Sequence, residues 1–311
     1  MTTNRLIDLI NKRKIVVIDA TYKVIFQGYA LIVAGTVDIE RHFHPVCVAI
    51  CTRETEDDYE FVFNSLKKKY PNFNPEFLLA DGAHSITNGF EKVFGENYKR
   101  IMCWAHAERA MERHLKIDKD TKQKVLKDIF SLQLSFSDLK FKLGYKLLKE
   151  KWLINEPVKG IEEYFDYFEK EWINSSNFGW FEGLAPSYPS TNNALEATNK
   201  SIKDVHTFRE RVPFSQFIER LKIILNRFST DRLSLKKFKE EPDISEFWKK
   251  AIEYLNKKPK IKFDQYEDAY PLSLDHEVDF ERYVETLECD ENCYIDGECE
   301  FVSCMNFDSF V

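Results

Sequence analysis

The sequence predicts an α/β protein built on one mixed sheet, with a helical block inserted late in the chain. Three observations carry this. Three apolar runs lie close together within residues 15–52, joined by connections too short for a crossover helix. Short apolar runs then alternate with segments of helical period. From about residue 106 to 190 the pattern is helical and strongly aromatic.

The first strand is read in Lys14-Ile15-Val16-Val17-Ile18-Asp19-Ala20-Thr21, where four β-branched residues run into a carboxylate. The second is Tyr29–Ala34 and the third Val46–Ile50, with Gly28, Gly35 and His44-Pro45 expected in the turns between strands. All three runs are apolar nearly throughout, so both sheet faces should be covered. Thr55 is placed to cap a helix, with Asp57 and Asp58 favourable in its first turn and an apolar face of Tyr59, Val62, Phe63, Leu66 and Tyr70. Pro71 stops it. Phe77-Leu78-Leu79-Ala80 reads as a strand parallel to the first, since a helix crosses between them, and it ends on Asp81. Ile86, Phe90, Val93 and Phe94 mark the next helix, and residues 100–104 another short strand.

A three-strand meander followed by strands alternating with helices is the order of a ribonuclease H-like fold. The aromatic stretch that includes Tyr164, Phe165, Tyr167, Phe168 and Trp172 reads as an all-helical insertion, closing in a turn-rich piece from Phe178 to Ser190. After Glu196, a long amphipathic helix runs through Phe214, Phe217, Ile218, Leu221, Ile224, Leu225 and Phe228. The expected organisation is therefore a lead-in (1–14), a first core part (15–115), the insertion (116–190), a last core part with basic helices (191–262) and an acidic, Cys-containing tail (263–311) suited to disorder.

Charge is divided unevenly along the chain. The net charge is −7, yet residues 263–311 hold one Arg against fifteen Asp or Glu, a net of −14, which leaves +7 on residues 1–262. Residues 197–262 carry seventeen Lys or Arg against nine Asp or Glu. Such a run is ordinarily a solvated helix face; beside a nuclease-type site it can also track phosphates. No run approaches a membrane span and the polar start is no secretory signal. Seven cysteines, an odd number, suit reduced thiols or metal ligands better than a disulfide framework, which points to the cytosol or nucleus.

The candidate chemistry lies in three acids. An Asp closing a strand is ordinarily a turn or cap residue. Asp81, at the carboxyl end of a parallel strand, stands where open α/β sheets place their ligands. With Asp19 in the same sheet and Glu196 in the polar, helix-forming stretch Thr191–Asn199, the set suits two Mg²⁺ or Mn²⁺ ions, which prefer hard oxygen ligands. Cys289, Cys293, Cys299 and Cys304, spaced Cys-x3-Cys-x5-Cys-x4-Cys, are a weak zinc candidate, since neither spacing is the tight Cys-x2-Cys knuckle.

Several stretches occur in the order of one known family. Ile18-Asp19-Ala20-Thr21-Tyr22-Lys23, His42-Phe43-His44-Pro45-Val46, Glu54-Thr55-Glu56, Leu79-Ala80-Asp81-Gly82-Ala83 and Met102-Cys103-Trp104-Ala105-His106 together resemble Mutator-like element (MULE) transposases. The stretch Thr191–Asn199 is similar to the segment carrying that family's third acid. The resemblance implies a DDE transposase domain with Asp19, Asp81 and Glu196 as metal-binding carboxylates and an all-helical insertion before Glu196. It implies DNA as partner, possible pairing with a second copy, and a nuclear location. Cys103 and His106 match the family's Cys-x-x-His; from spacing alone they read as a buried thiol and a core histidine, and with the resemblance as residues that position DNA or brace the site. Asn192, Asn193 and Asn199 read either as hydrogen-bonding DNA or orienting Glu196, or as a polar cap at a helix start. The tail cysteines do not match the family's usual C-terminal zinc finger. Only 18 residues precede Asp19, which departs from the family's N-terminal DNA-binding module and suggests a truncated or host-retained derivative.

The expected function is a cut-and-paste DNA transposase core performing two-metal phosphodiester hydrolysis and strand transfer. The alternatives are a catalytically idle derivative that binds DNA or protein, and a generic ribonuclease H-like nuclease.

Overall fold

The computed structural model describes residues 1–10 and 13–231, and in the tail only the short antiparallel pairing of β6 (Tyr294–Ile295) with β7 (Glu298–Cys299). The chain divides into two units, Met1–Glu241 and Pro242–Val311. Cys289, Cys293 and Cys304, with most of the stretch from 232 onward, lie outside the described residues, as does the thiol of Cys299.

A short helix, α1 (Asn4–Ile7), capped by the Thr3 side chain, precedes the sheet within the expected lead-in. Then come β1 (Ile15–Thr21), β2 (Ala30–Val37) and β3 (Phe43–Cys51). These pair antiparallel, β1 with β2 and β2 with β3. The helix α2 (Glu56–Lys69) crosses to β4 (Phe77–Ala80), and α3 (His84–Phe94) crosses to β5 (Lys99–Met102). Both crossovers return parallel, β4 to β1 and β5 to β4, giving the order β3-β2-β1-β4-β5. This mixed, helix-flanked five-stranded sheet is the ribonuclease H-like arrangement. Every residue of β2 is buried, as a covered sheet requires.

Local chemistry explains the boundaries. The Thr55 side chain accepts from the Asp58 N–H while the Asp58 carboxylate accepts from the Thr55 N–H, a reciprocal cap that starts α2. At the β2–β3 connection the structure corrects the expected turn residues. Gly35, His44 and Pro45 lie inside the strands, and the turn is made by Asp38 to His42. Asp38 builds it: one carboxylate oxygen accepts the Glu40 and His42 N–H groups, and the other meets His44 Nε2 at 2.8 Å. Burial works to raise the Asp38 carboxyl, but the His44 ring and the His42 N–H hold it below the ordinary carboxylate range. Pro45 is tolerated because β3 is the sheet edge, and Gly35 is needed because a Cβ there would stand 2.2 Å from the His44 carbonyl oxygen at the bulge.

After β5 the chain forms α4 (Trp104–His114), α5 (Lys119–Gln133), α6 (Asp138–Glu150) and α7 (Ile161–Phe168). π-Helical turns extend α6 over Lys151–Asn155 and α7 over Glu169–Ile173. These helices and the Phe178–Phe181 loop enclose their own aromatic core around Phe141, Trp152, Phe165, Phe168 and Trp180. Rings this large each contribute about 2–3 kcal/mol on burial, so the insertion has a packing reason to be ordered beside the sheet's core. Trp104 of α4 stacks on Trp180, with 5.6 Å between ring centroids. The last described helices are α8 (Asn193–Ser201), extended by a π-helical turn over Ile202–His206, and α9 (Phe214–Asp231).

Candidate active site

Strand register places the first two acids side by side. Val17 is paired with Leu79 in the parallel β1–β4 ladder. Asp19 and Asp81 each stand two residues further on, at the same level and on the same face of strands about 4.8 Å apart. Ala80 is paired with Met102, so the next residue of the third strand at this level is Cys103. Its N–H carries the ladder on to the Ala80 carbonyl at 3.0 Å.

The third acid arrives through Cys103. The buried thiol donates to Asn192 Oδ1 at 2.9 Å, and the Trp104 N–H donates to the Ser190 carbonyl at 2.8 Å. These bonds hold the start of α8 against the carboxyl end of β5. Asn192 occupies the capping position of α8, but its side chain is turned to Cys103 and caps nothing. One turn later Glu196 faces a cleft of about 570 Å³ that Asp19, Asp81 and His106 also line. Asn199, Lys200 and Lys203 follow on the same side of α8 and its π-helical turn, at the spacing of one helical face. Lys23 and Arg209 complete the rim, each held in the left-handed region with φ of 66° and 61°, and Arg209 is paired there with Asp204 at 2.7 Å.

The electrostatics record the crowding. Asp19 is pushed up to about 7, first by burial and then by the charges of Asp81 and Glu196, with Glu54 adding a little. Asn199 Nδ2 donates to Asp19 Oδ2 at 3.1 Å, while Asn199 Oδ1 is buried with no partner. Glu196 is approached by His106 Nε2 at 3.6 Å and Arg109 at 3.7 Å. Asn193 is exposed and is not among the residues lining the cleft.

Arg100 was legible only as part of a strand, yet it braces Asp81. Its guanidinium donates to the carbonyls of Ile101 (2.7 Å), Ala80 (3.3 Å) and Leu78 (3.4 Å), and to that of Asp81. Burial lowers it to about 10, still charged at neutral pH. A strand pattern gives no sign that a side chain turns back under its neighbour. Glu54 sits at a φ of 53° and accepts from the Tyr59 hydroxyl at 3.3 Å.

Hard oxygen donors suit Mg²⁺ or Mn²⁺, and the excess negative charge felt by Asp19 is what a cation would relieve. Among the described residues, no group of three or more His, Cys, Asp or Glu side chains is already set to hold a metal ion. The acids thus share a cleft without being drawn into one coordination sphere. The described cysteines, Cys47, Cys51 and Cys103, are all free and buried. No described helix is long and apolar enough to cross a membrane.

Fold and cleft together define a ribonuclease H-like domain with acids gathered at the carboxyl ends of its central strands. A MULE transposase domain family model matches residues 15–109, which include Asp19 and Asp81 but not Glu196. No curated protein matches the sequence. Among solved structures, the catalytic domain of Mos1 transposase with raltegravir and Mg is similar at 11% identity and a TM-score of 0.21, over 62% of this chain and 91% of that one. Strand order and register, not that distant overlap, carry the fold.

Proposed function

We propose that the chain is the catalytic core of a MULE-type DNA transposase, cutting and joining phosphodiesters at the cleft between β1, β4 and α8. The observation that carries this reading is the shared cleft: Asp19, Asp81 and Glu196 come from three distant segments and face one space rimmed by Lys23, Lys200 and Lys203, with Arg209 paired to Asp204. Asp19 and Asp81 would hold divalent ions, with Glu196 completing the set. Such ions, when bound, supply Lewis acidity that activates a water or a 3′-hydroxyl and stabilises the leaving oxygen. The chain's own residues do the rest. Lys200 and Lys203 hold the phosphodiester backbone without choosing sequence. Asn199 keeps the Asp19 carboxylate turned into the cleft, and Arg100 fixes the strand end that carries Asp81. The Cys103–Asn192 bond seats the helix bearing Glu196. A nuclear location belongs with this reading.

The second reading, an idle derivative that binds DNA or protein, draws on Glu196, which leans towards His106 and Arg109 and is already partly compensated. Plasmid nicking separates the two. Mg²⁺- or Mn²⁺-dependent nicking that disappears in Asp81→Asn supports the transposase. DNA binding without nicking at any divalent concentration supports the binder.

A further inference from the structure

Asp81 and His106 line a second space as well, a groove of about 510 Å³ between α4 and the π-helical turn after α7. Its chemistry differs from that of the basic cleft. Here a single guanidinium, from Arg113, shares the groove with two carboxylates, Asp81 and Glu171, so the groove is poorly suited to a second run of phosphates. Its character is aromatic. The exposed His114 ring stacks on Tyr167 with centroids 4.0 Å apart and 17° between planes. Trp172 braces that pair from behind, its indole N–H donating to the Tyr167 hydroxyl at 3.1 Å. His114 Nδ1 is bonded to the Ala110 carbonyl at 2.9 Å, which fixes the ring plane. Deeper in, the buried Asn177 spends its amide N–H on Glu171 (2.8 Å) and turns its Oδ1 towards Gly82.

A flat π surface and one amide oxygen, with little positive charge around them, suit a flat, weakly polar ring. We infer that this groove takes an unpaired nucleotide of the substrate strand, the one beside the phosphate that the neighbouring cleft's lysines hold, with its base stacked on the His114–Tyr167 pair. The inference rests on the nucleic-acid reading of the neighbouring cleft. A base inside a duplex has both faces covered, so only an unpaired or extruded one can stack there. Stacking on a protein ring is tolerant of sequence, because every base offers a π face.

The test compares two fluorescein-labelled probes by anisotropy, using the full chain in chelator so that nothing is cut. One probe is a blunt duplex and the other the same duplex with a short single-stranded end. Wild type should favour the single-stranded end. His114→Ala should weaken that probe by about 5-fold to 100-fold, the range of one lost base stack, and leave the blunt duplex unchanged. His114→Phe should restore most of the preference. Equal losses on both probes, or no loss on either while the duplex still binds, would overturn the groove assignment and spare the cleft. If wild type binds neither probe, the nucleic-acid reading fails and the groove assignment with it.

Discussion

Replacing Asp19 by Asn should make the metal-free protein more stable at neutral and alkaline pH, although the residue stands at the centre of the site. Burial and the charges of Asp81 and Glu196 raise Asp19 from 3.8 to about 7. A raised carboxyl binds its proton more tightly when folded, so its contribution is complete below the unfolded value. It declines as pH rises between the two values and is gone above the folded one. Over that window the wild type loses about 4 kcal/mol relative to a neutral side chain. Water reaching the half-buried carboxyl makes this a ceiling. Asn keeps an oxygen to accept from Asn199 Nδ2 and carries no charge. Urea unfolding in chelator at pH 5 and pH 8 reads the effect. The variant should gain about two to three times more over wild type at pH 8 than at pH 5. A gain that is equal at both pH values, or absent, would show that the charge on Asp19 is not what strains the cleft.

Other outcomes follow from neighbouring contacts. Mg²⁺ should raise the melting temperature of wild type at pH 8 by mass action and do so much less for Asp19→Asn or Asp81→Asn, as calorimetric scans with and without the ion would show. Cys103→Ala should cost about 1–3 kcal/mol, because Asn192 loses a buried partner, whereas Cys103→Ser keeps a donor and should lose less by thermal melting. Gly179→Ala should cost about 3 kcal/mol or more, since the new Cβ would stand 1.8 Å from the Arg100 carbonyl oxygen; limited proteolysis at the β5 edge should report it. Asp38→Ala should cost about 3–5 kcal/mol by leaving His44 buried without its carboxylate, with Asp38→Asn milder in the same urea titration.

Sheet order was legible because Ile15–Ile18, Leu31–Ala34 and Leu78–Ala80 are apolar runs of strand length, and because the spacing between them admits either a turn or a helix but not both. The level shared by Asp19 and Asp81 followed, since each closes an apolar run, although β1 continues two residues past Asp19 to Thr21. The β2–β3 turn was misread because Gly and Pro usually punctuate loops, and here Gly35 and Pro45 instead serve a bulge and an edge strand. Arg100, Arg109 and the His114–Tyr167 stack were not legible. Their roles depend on contacts between elements separated by many residues, and periodicity records only a residue's own element. Glu196 could be named from its stretch but not placed, because its position depends on the Cys103–Asn192 bond, whose two partners are 89 residues apart.

That bond has a consequence for how such a chain can change. The insertion leaves the sheet at Trp104 and comes back at Ser190, and these residues are hydrogen-bonded to each other at 2.8 Å. Its ends are clasped together, and the Gly179 carbonyl, which accepts the Met102 N–H at 2.8 Å, ties it to β5 as well. Helices can therefore be added, lost or exchanged inside it at little entropic penalty, since closure cost grows only as the logarithm of loop length. The clasp residues are the opposite. A shift at Cys103, Asn192 or Ser190 moves α8 bodily, and Glu196 with it. Natural variation and engineering should both find freedom in the helical arm and almost none at its hinge.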